Sequence, residues 1–154
     1  MISLKFESKL RTDREKLWTW ISSVKGISKE LWPLVKMTVP PEVLSIENLP
    51  FKPGVKVFRS YLLLGGLIPF DYWDLTLTEL TANYGFVENS TIGLMQHWRY
   101  ERIISEHPTD TQMMILTDQM EFAPRFAPRM TEYFVKKLFE HRHKVLQNGF
   151  NRPN

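Results

Sequence analysis

The sequence predicts an α+β fold: a curved antiparallel sheet of about six to seven strands wrapped around a long C-terminal helix, with two short helices after the first strand. Three observations carry this. Pro128 to Phe150 spaces its apolar residues at a helical period. Val55 to Phe122 is a succession of alternating segments joined by short turn signals. Ile2 to Leu10 alternates as a half-buried strand just ahead of a helix-start signal. The 154 residues suit a single domain, 1–154.

In the first strand Ile2, Leu4, Phe6 and Ser8 alternate with Ser3, Lys5, Glu7 and Lys9. Thr12-Asp13-Arg14-Glu15 reads as a capping box headed by Thr12. The helix it opens carries Leu17, Trp18, Trp20, Ile21 and Val24 and should stop near Gly26. Ser28 is placed to cap a second short helix, with Ile27 and Trp32 at the spacing of a hydrophobic staple and Pro33 close to its end. Met37 to Pro53 contains Pro40, Pro41, Pro50 and Pro53 and reads as a loop with one short strand at Val43 to Ile46. After the Pro53-Gly54 turn, strands are predicted at Val55 to Leu64, Pro69 to Leu80, Tyr84 to Ser90, Leu94 to Ser105 and Thr111 to Phe122. Consecutive strands with short turns make an antiparallel meander.

In the last helix Met130, Phe134, Val135, Leu138, Phe139, Val145, Leu146 and Phe150 fall on one broad arc, with Glu132, Lys136, Glu140, His143 and Gln147 opposite. Pro128 suits a first turn, and Gly149-Phe150 reads as a left-handed C-cap. Arg142 breaks the pattern, since it sits near the middle of the apolar arc. A helix of roughly 34 Å with so wide an apolar face needs a large curved partner.

Composition narrows the function. Twenty basic and seventeen acidic residues give a net charge of +3, mixed along the chain rather than clustered, which argues against nucleic acid. There is no cysteine, which excludes disulfides, thiolate catalysis and zinc–thiolate sites and agrees with a cytoplasmic home. The opening MISLKFESKL carries charge throughout and is not a signal peptide. The apolar run Tyr61 to Phe70 is too short to span a bilayer, so no stable membrane insertion is expected. His141 and His143 diverge by about 200° on a helix, His97 is expected to face out and His107 lies in a turn, so no metal site is expected. Gly65-Gly66 lacks a following helix cap and makes no phosphate loop, and no cofactor is expected.

The order of elements and four local stretches resemble the START/Bet v 1-like superfamily (SRPBCC, with its polyketide cyclase/dehydrase-like members), whose fold is called helix-grip. Leu64-Gly65-Gly66-Leu67-Ile68-Pro69-Phe70 is similar to the glycine–leucine–proline turn of its bacterial members. Met95-Gln96-His97-Trp98-Arg99-Tyr100-Glu101 resembles their central strand, with Tyr100 where a histidine is usual. Thr117-Asp118 with Glu121-Phe122 resembles a third strand motif, and Phe139-Glu140-His141-Arg142-His143 a stretch near their C-terminus. The resemblance implies a hydrophobic lumen between sheet and helix. It does not select among lipid carriers, hormone receptors, cyclases and chaperone regulators.

Pairing Tyr100 with Asp118 in the hairpin of the last two long strands also pairs Trp98 with Met120, Gln96 with Phe122, Arg102 with Leu116 and Ile104 with Met114 on an inward face. His97 and Arg99 then face solvent opposite Glu121 and Gln119. A buried arginine must find a partner, and Asp118 is the candidate for Arg142. Two readings stay open: a polar anchor for the head group of an apolar ligand, with Tyr100 beside it, or an ion pair stitching helix to sheet. Trp73, Trp98, Met120, Phe134 and Leu138 would form apolar wall, and Trp18, Trp20 and Trp32 would guard one mouth. The candidate ligand-binding set is therefore Trp73, Trp98, Tyr100, Arg102, Asp118, Met120, Phe134, Leu138 and Arg142. The expected partner is a hydrophobic small molecule or lipid, bound by a monomer or homodimer. The rivals are a cyclase or dehydratase with Asp118 or Tyr100 as acid/base, and a protein-interaction module with a filled core.

Overall fold

The computed structural model describes residues 1–49 and 51–152, so Pro50 of the proline-rich loop and residues 153 and 154 lie outside the described residues. The chain runs β1 (Ile2–Leu10), α1 (Arg14–Ser22), α2 (Val24–Leu31), β2 (Val35–Met37), β3 (Lys56–Leu64), β4 (Ile68–Thr81), β5 (Gly85–Asn89), β6 (Thr91–Ile92), β7 (Met95–Glu106), β8 (Met114–Pro124) and α3 (Pro128–Phe150). The strands form one antiparallel sheet in the order β1-β8-β7-β5-β4-β3-β2, with the two-residue β6 paired to β4. The sheet grips α3, whose Phe139 stacks on Phe6 of β1 at 5.8 Å and meets Tyr100 of β7 edge-on at 5.3 Å.

The predicted architecture is present, with local differences. The cap of α1 is Asp13 rather than Thr12: its carboxylate accepts the Lys16 N–H at 2.8 Å, a stronger acceptor than a threonine hydroxyl. The first helix stops at Ser22, not near Gly26, because extended Ser23 ends α1 and caps α2 in one step. Its Oγ donates to Trp20 O and accepts from Gly26 N, both at 2.9 Å. A Cβ on Gly26 would stand 2.1 Å from the Trp20 carbonyl, so this tight junction requires glycine. Ser28 therefore lies inside α2, and Trp32 is its C-cap. Val43–Ile46 is not a strand, for only Ser45 makes an isolated bridge, to Ser23. Strand β2, which no sequence pattern predicts, pairs Val35 with Leu64. At its far end α3 runs through Gly149 and Phe150 to an Asn151 C-cap, because Asn151 Nδ2 and Oδ1 are held by Lys9 O and Arg11 N at 2.8 and 2.7 Å.

The β7–β8 hairpin keeps the predicted faces but slides by two residues. Arg102 faces Asp118, Tyr100 faces Met120, Trp98 faces Phe122, Ile104 faces Leu116 and Arg99 faces Glu121. The connection is longer than the His107–Asp110 turn, running from Glu106 to Met114, and that moves the register. A bulge between Met95 and His97 turns Met95 inward and leaves Gln96 exposed, which overturns its inward placement. A slip of two preserves every side chain's face, which is why the buried set survives the wrong pairing.

Candidate functional site

Arg102 of β7 is wholly buried between two wholly buried carboxylates. Its Nε and Nη2 donate to Asp118 Oδ1 and Oδ2 at 2.7 and 2.9 Å. Its Nη2 and Nη1 donate to Glu30 Oε1 and Oε2 of α2 at 2.7 and 3.1 Å. Trp20 Nε1 adds a third donor to Glu30 at 2.9 Å, and Arg142 Nε a fourth at 3.0 Å. The direct partner of Arg142 is thus Glu30, not Asp118, because a two-residue slide aims Asp118 at Arg102 instead. The sequence pattern does not single out Glu30, because α2 starts at Val24, about a turn before the Ser28 cap that the pattern predicts.

Asp118 is fully engaged. It also accepts the Tyr100 hydroxyl at 2.6 Å and bonds His143 Nε2 at 2.7 Å. Burial alone would raise its pKa, but the Arg102 guanidinium and the hydrogen bonds from His143 and Arg102 outweigh it and hold the carboxyl well below its usual range. His143, expected on the solvent side, is buried with its Nδ1 2.6 Å from Ser8 Oγ of β1. Helical periodicity puts it opposite the apolar arc, but β1 packs on that side of α3 and covers it. Two carboxylates balance two guanidiniums in this cluster, and with the Ser8–His143 bond it joins β1, β7, β8, α2 and α3.

In front of this cluster, between α3 and the sheet, lies a cavity of about 380 Å³. Of the sequence-derived set, Trp73, Trp98, Tyr100, Phe134, Leu138 and Arg142 line it. Arg102, Asp118 and Met120 stand behind the wall instead, since each is buried with 1% or less of its surface exposed and none lines the cavity. Tyr100 presents its ring, its hydroxyl being bound to Asp118. Ile27 and Leu31 of α2 complete the apolar wall. The early tryptophans do not guard this cavity: Trp18 is in the core, Trp20 is held by Glu30, and Trp32 is 54% exposed on a separate shallow groove.

Two ionisable side chains that line the cavity have hydrogen-bonding capacity to spare. Arg142 uses Nε on Glu30, and among the described residues its two Nη amines carry no hydrogen bond. Its guanidinium carbon lies 4.9 Å from the Phe139 ring centre and 5.8 Å from that of Tyr100, cation–π contacts that help hold the group at the wall. The second is Glu88 of β5, only 2% exposed and not singled out from sequence. Trp98 Nε1 donates to its Oε1 at 2.7 Å, while Oε2 has no hydrogen-bond partner among the described residues. Burial pushes its pKa up to about 7, with the Trp98 bond and the Arg142 charge pulling the other way. Glu88 faces inward with Phe86, two residues before it on β5, and both line the cavity. The one sequence signal is an acidic residue following the apolar pair Phe86-Val87 in a short strand.

A curved antiparallel sheet closed on a long terminal helix, with an apolar lumen between them, is the helix-grip fold seen in START-like proteins. The chain is similar to XoxI of Bacillus cereus, at 11% identity over 99% of this chain and 97% of that one, with a TM-score of 0.70. It is similar to Zhui aromatase/cyclase from a Streptomyces species, at 13% identity over 98% and 94% of the two chains and a TM-score of 0.67. A START superfamily protein of Mycobacterium smegmatis matches at 9% identity over 97% of each chain, with a TM-score of 0.63. Identities this low speak for the fold alone. Residues 8–150 match the model of a family described as a domain of unknown function, DUF8410, and the chain belongs to that family. No curated protein matches the sequence.

Proposed function

We propose that the protein binds a hydrophobic small molecule or lipid in the cavity between α3 and the sheet, with its electron-rich oxygen on the free Nη amines of Arg142. The observation that supports this most is an apolar cavity of about 380 Å³ holding a buried arginine with unused donors. Burial of apolar ligand surface, at about 25 cal/mol per Å², supplies the affinity. The arginine cannot lose its charge and so selects an anionic or enol-like group. Asp118 and Tyr100 act through position, holding Arg102 and Glu30 so that Glu30 can orient Arg142. The structural and the ligand-anchoring readings of the ion pairs thus apply to different members of one cluster. A cavity of this volume weighs against an interaction module with a filled core.

The test pairs native mass spectrometry with a titration of 1-anilinonaphthalene-8-sulfonate, an apolar anion of suitable size. Micromolar binding to the wild type and at least tenfold weaker binding to Arg142→Met is the expected result. A discrete co-purifying mass lost on denaturation would identify the ligand class. No binding of the probe, together with a clean mass, would sink the reading.

A second reading, an enzyme of the cyclase or dehydratase kind, is favoured by Glu88, whose pKa of about 7 suits general acid–base work. In that case the acid/base is Glu88 and not Asp118 or Tyr100, which are tied to each other. The likeness of fold to an aromatase/cyclase is compatible with this and does not choose it.

A further inference from the structure

Among the described residues, two buried polar atoms of side chains that line the cavity lack partners, and they are complementary. Glu88 Oε2 is an acceptor without a donor. Trp73 Nε1 is a donor without an acceptor. Both side chains line the cavity, and Glu88 is 2% exposed. The Trp73 indole and the Ser90 hydroxyl both lie close enough to Glu88 to favour its charged form, though among the described residues neither makes a well-formed hydrogen bond to Oε2. Leaving either atom dry and unpaired costs about 1–3 kcal/mol, which a suitable ligand group would recover.

Building on the cavity reading above, we infer that the bound molecule carries a hydroxyl, alcoholic or phenolic, which bridges Trp73 Nε1 and Glu88 Oε2. The hydroxyl oxygen accepts the indole N–H and its proton is given to the carboxylate. A hydroxyl is the group that fits both orphans. A ketone oxygen would serve the indole but would need Glu88 protonated. A carboxylate at this point would be repelled by ionised Glu88. When Glu88 is protonated, its own O–H can donate to the second lone pair of the same hydroxyl, so the match holds in either state. Trp98, donating to Oε1, fixes the carboxyl and leaves Oε2 for the ligand. The ligand is then doubly marked: an electron-rich oxygen at Arg142 and a hydroxyl at Glu88, on an otherwise apolar body.

The test is a calorimetric titration at pH 7 of 2-naphthol and 2-methylnaphthalene, molecules of nearly equal size differing in the hydroxyl. They are run against the wild type, Glu88→Gln and Trp73→Phe, with thermal melts confirming that each variant is folded. The expected result is that 2-naphthol binds the wild type at least tenfold tighter and that the preference falls below threefold in a folded variant. Sites built to pair a hydroxyl reject the analogue lacking it. Equal binding of the two probes to the wild type overturns this inference while leaving the cavity reading intact. A preference retained in both variants overturns it too, since the hydroxyl is then read elsewhere. Binding of neither probe, nor of the anilinonaphthalene sulfonate, would overturn the cavity reading itself.

Discussion

Arg142 Nε donates to Glu30 Oε1 at 3.0 Å, tying the terminal helix to α2 at the inner end of the cavity. Glu30 at the same time receives two bonds from Arg102 and one from Trp20. One carboxylate thus decides where two guanidiniums stand. Removing it leaves both charges undercompensated, so Glu30→Ala should cost about 3–5 kcal/mol of stability in urea titrations. Arg142→Met should cost less than half as much, because Glu30 keeps its other three bonds. Equal losses would show that Arg142 is a structural tie and not an anchor.

Glu88 gives a pH dependence of known sign. Between its ordinary 4.5 and about 7, the folded protein keeps a proton that the unfolded chain has released. Stability therefore falls as pH rises through that window, by about 3 kcal/mol in all. Glu88→Gln should remove the slope, and the wild-type and variant curves should diverge between those pH values. Parallel curves would mean that Glu88 is better solvated than its burial indicates. Asp118 has the opposite sign: its depressed pKa stabilises the fold above the usual carboxylate range, and that contribution is lost as pH falls below about 4.

Leu138 projects from α3 into the cavity and is only half-buried. Leu138→Trp should fill the space, lowering affinity for the sulfonate probe at least tenfold while the melting temperature stays within a few degrees. Unchanged probe binding would place the probe outside the lumen.

Gly85 has φ of +148°, and a Cβ there would lie 2.2 Å from the Arg102 carbonyl oxygen. Gly85→Ala should force β5 away from β7, at a cost of about 2 kcal/mol or more. Because Glu88 pairs with Tyr100 on the same strand pair, the discrimination between 2-naphthol and 2-methylnaphthalene should weaken as well. A stable variant with full discrimination would show that the strand shifts without moving Glu88.

The sequence by itself determined the kind of element at most positions and the face that each side chain takes. Period two and period 3.6 are local properties. Ile2–Leu10 and Pro128–Phe150 could be read without any partner, and Arg142 stood out because it violates its own helix's pattern. The buried identity of Tyr100, Arg102 and Asp118 was legible for the same reason, since a slide of two residues leaves parity intact. Tertiary structure alone decided who meets whom. The loop between Glu106 and Met114 set the hairpin register and gave Asp118 to Arg102. The packing of α2 brought Glu30 across 112 residues of chain to Arg142. The curl of β1 over α3 buried His143 against Asp118 and Ser8. Glu88 became a cavity carboxyl only when β5 was set between β4 and β7. A charge partner or a cavity wall is fixed by distance in space. Local periodicity reports only orientation about one element's own axis.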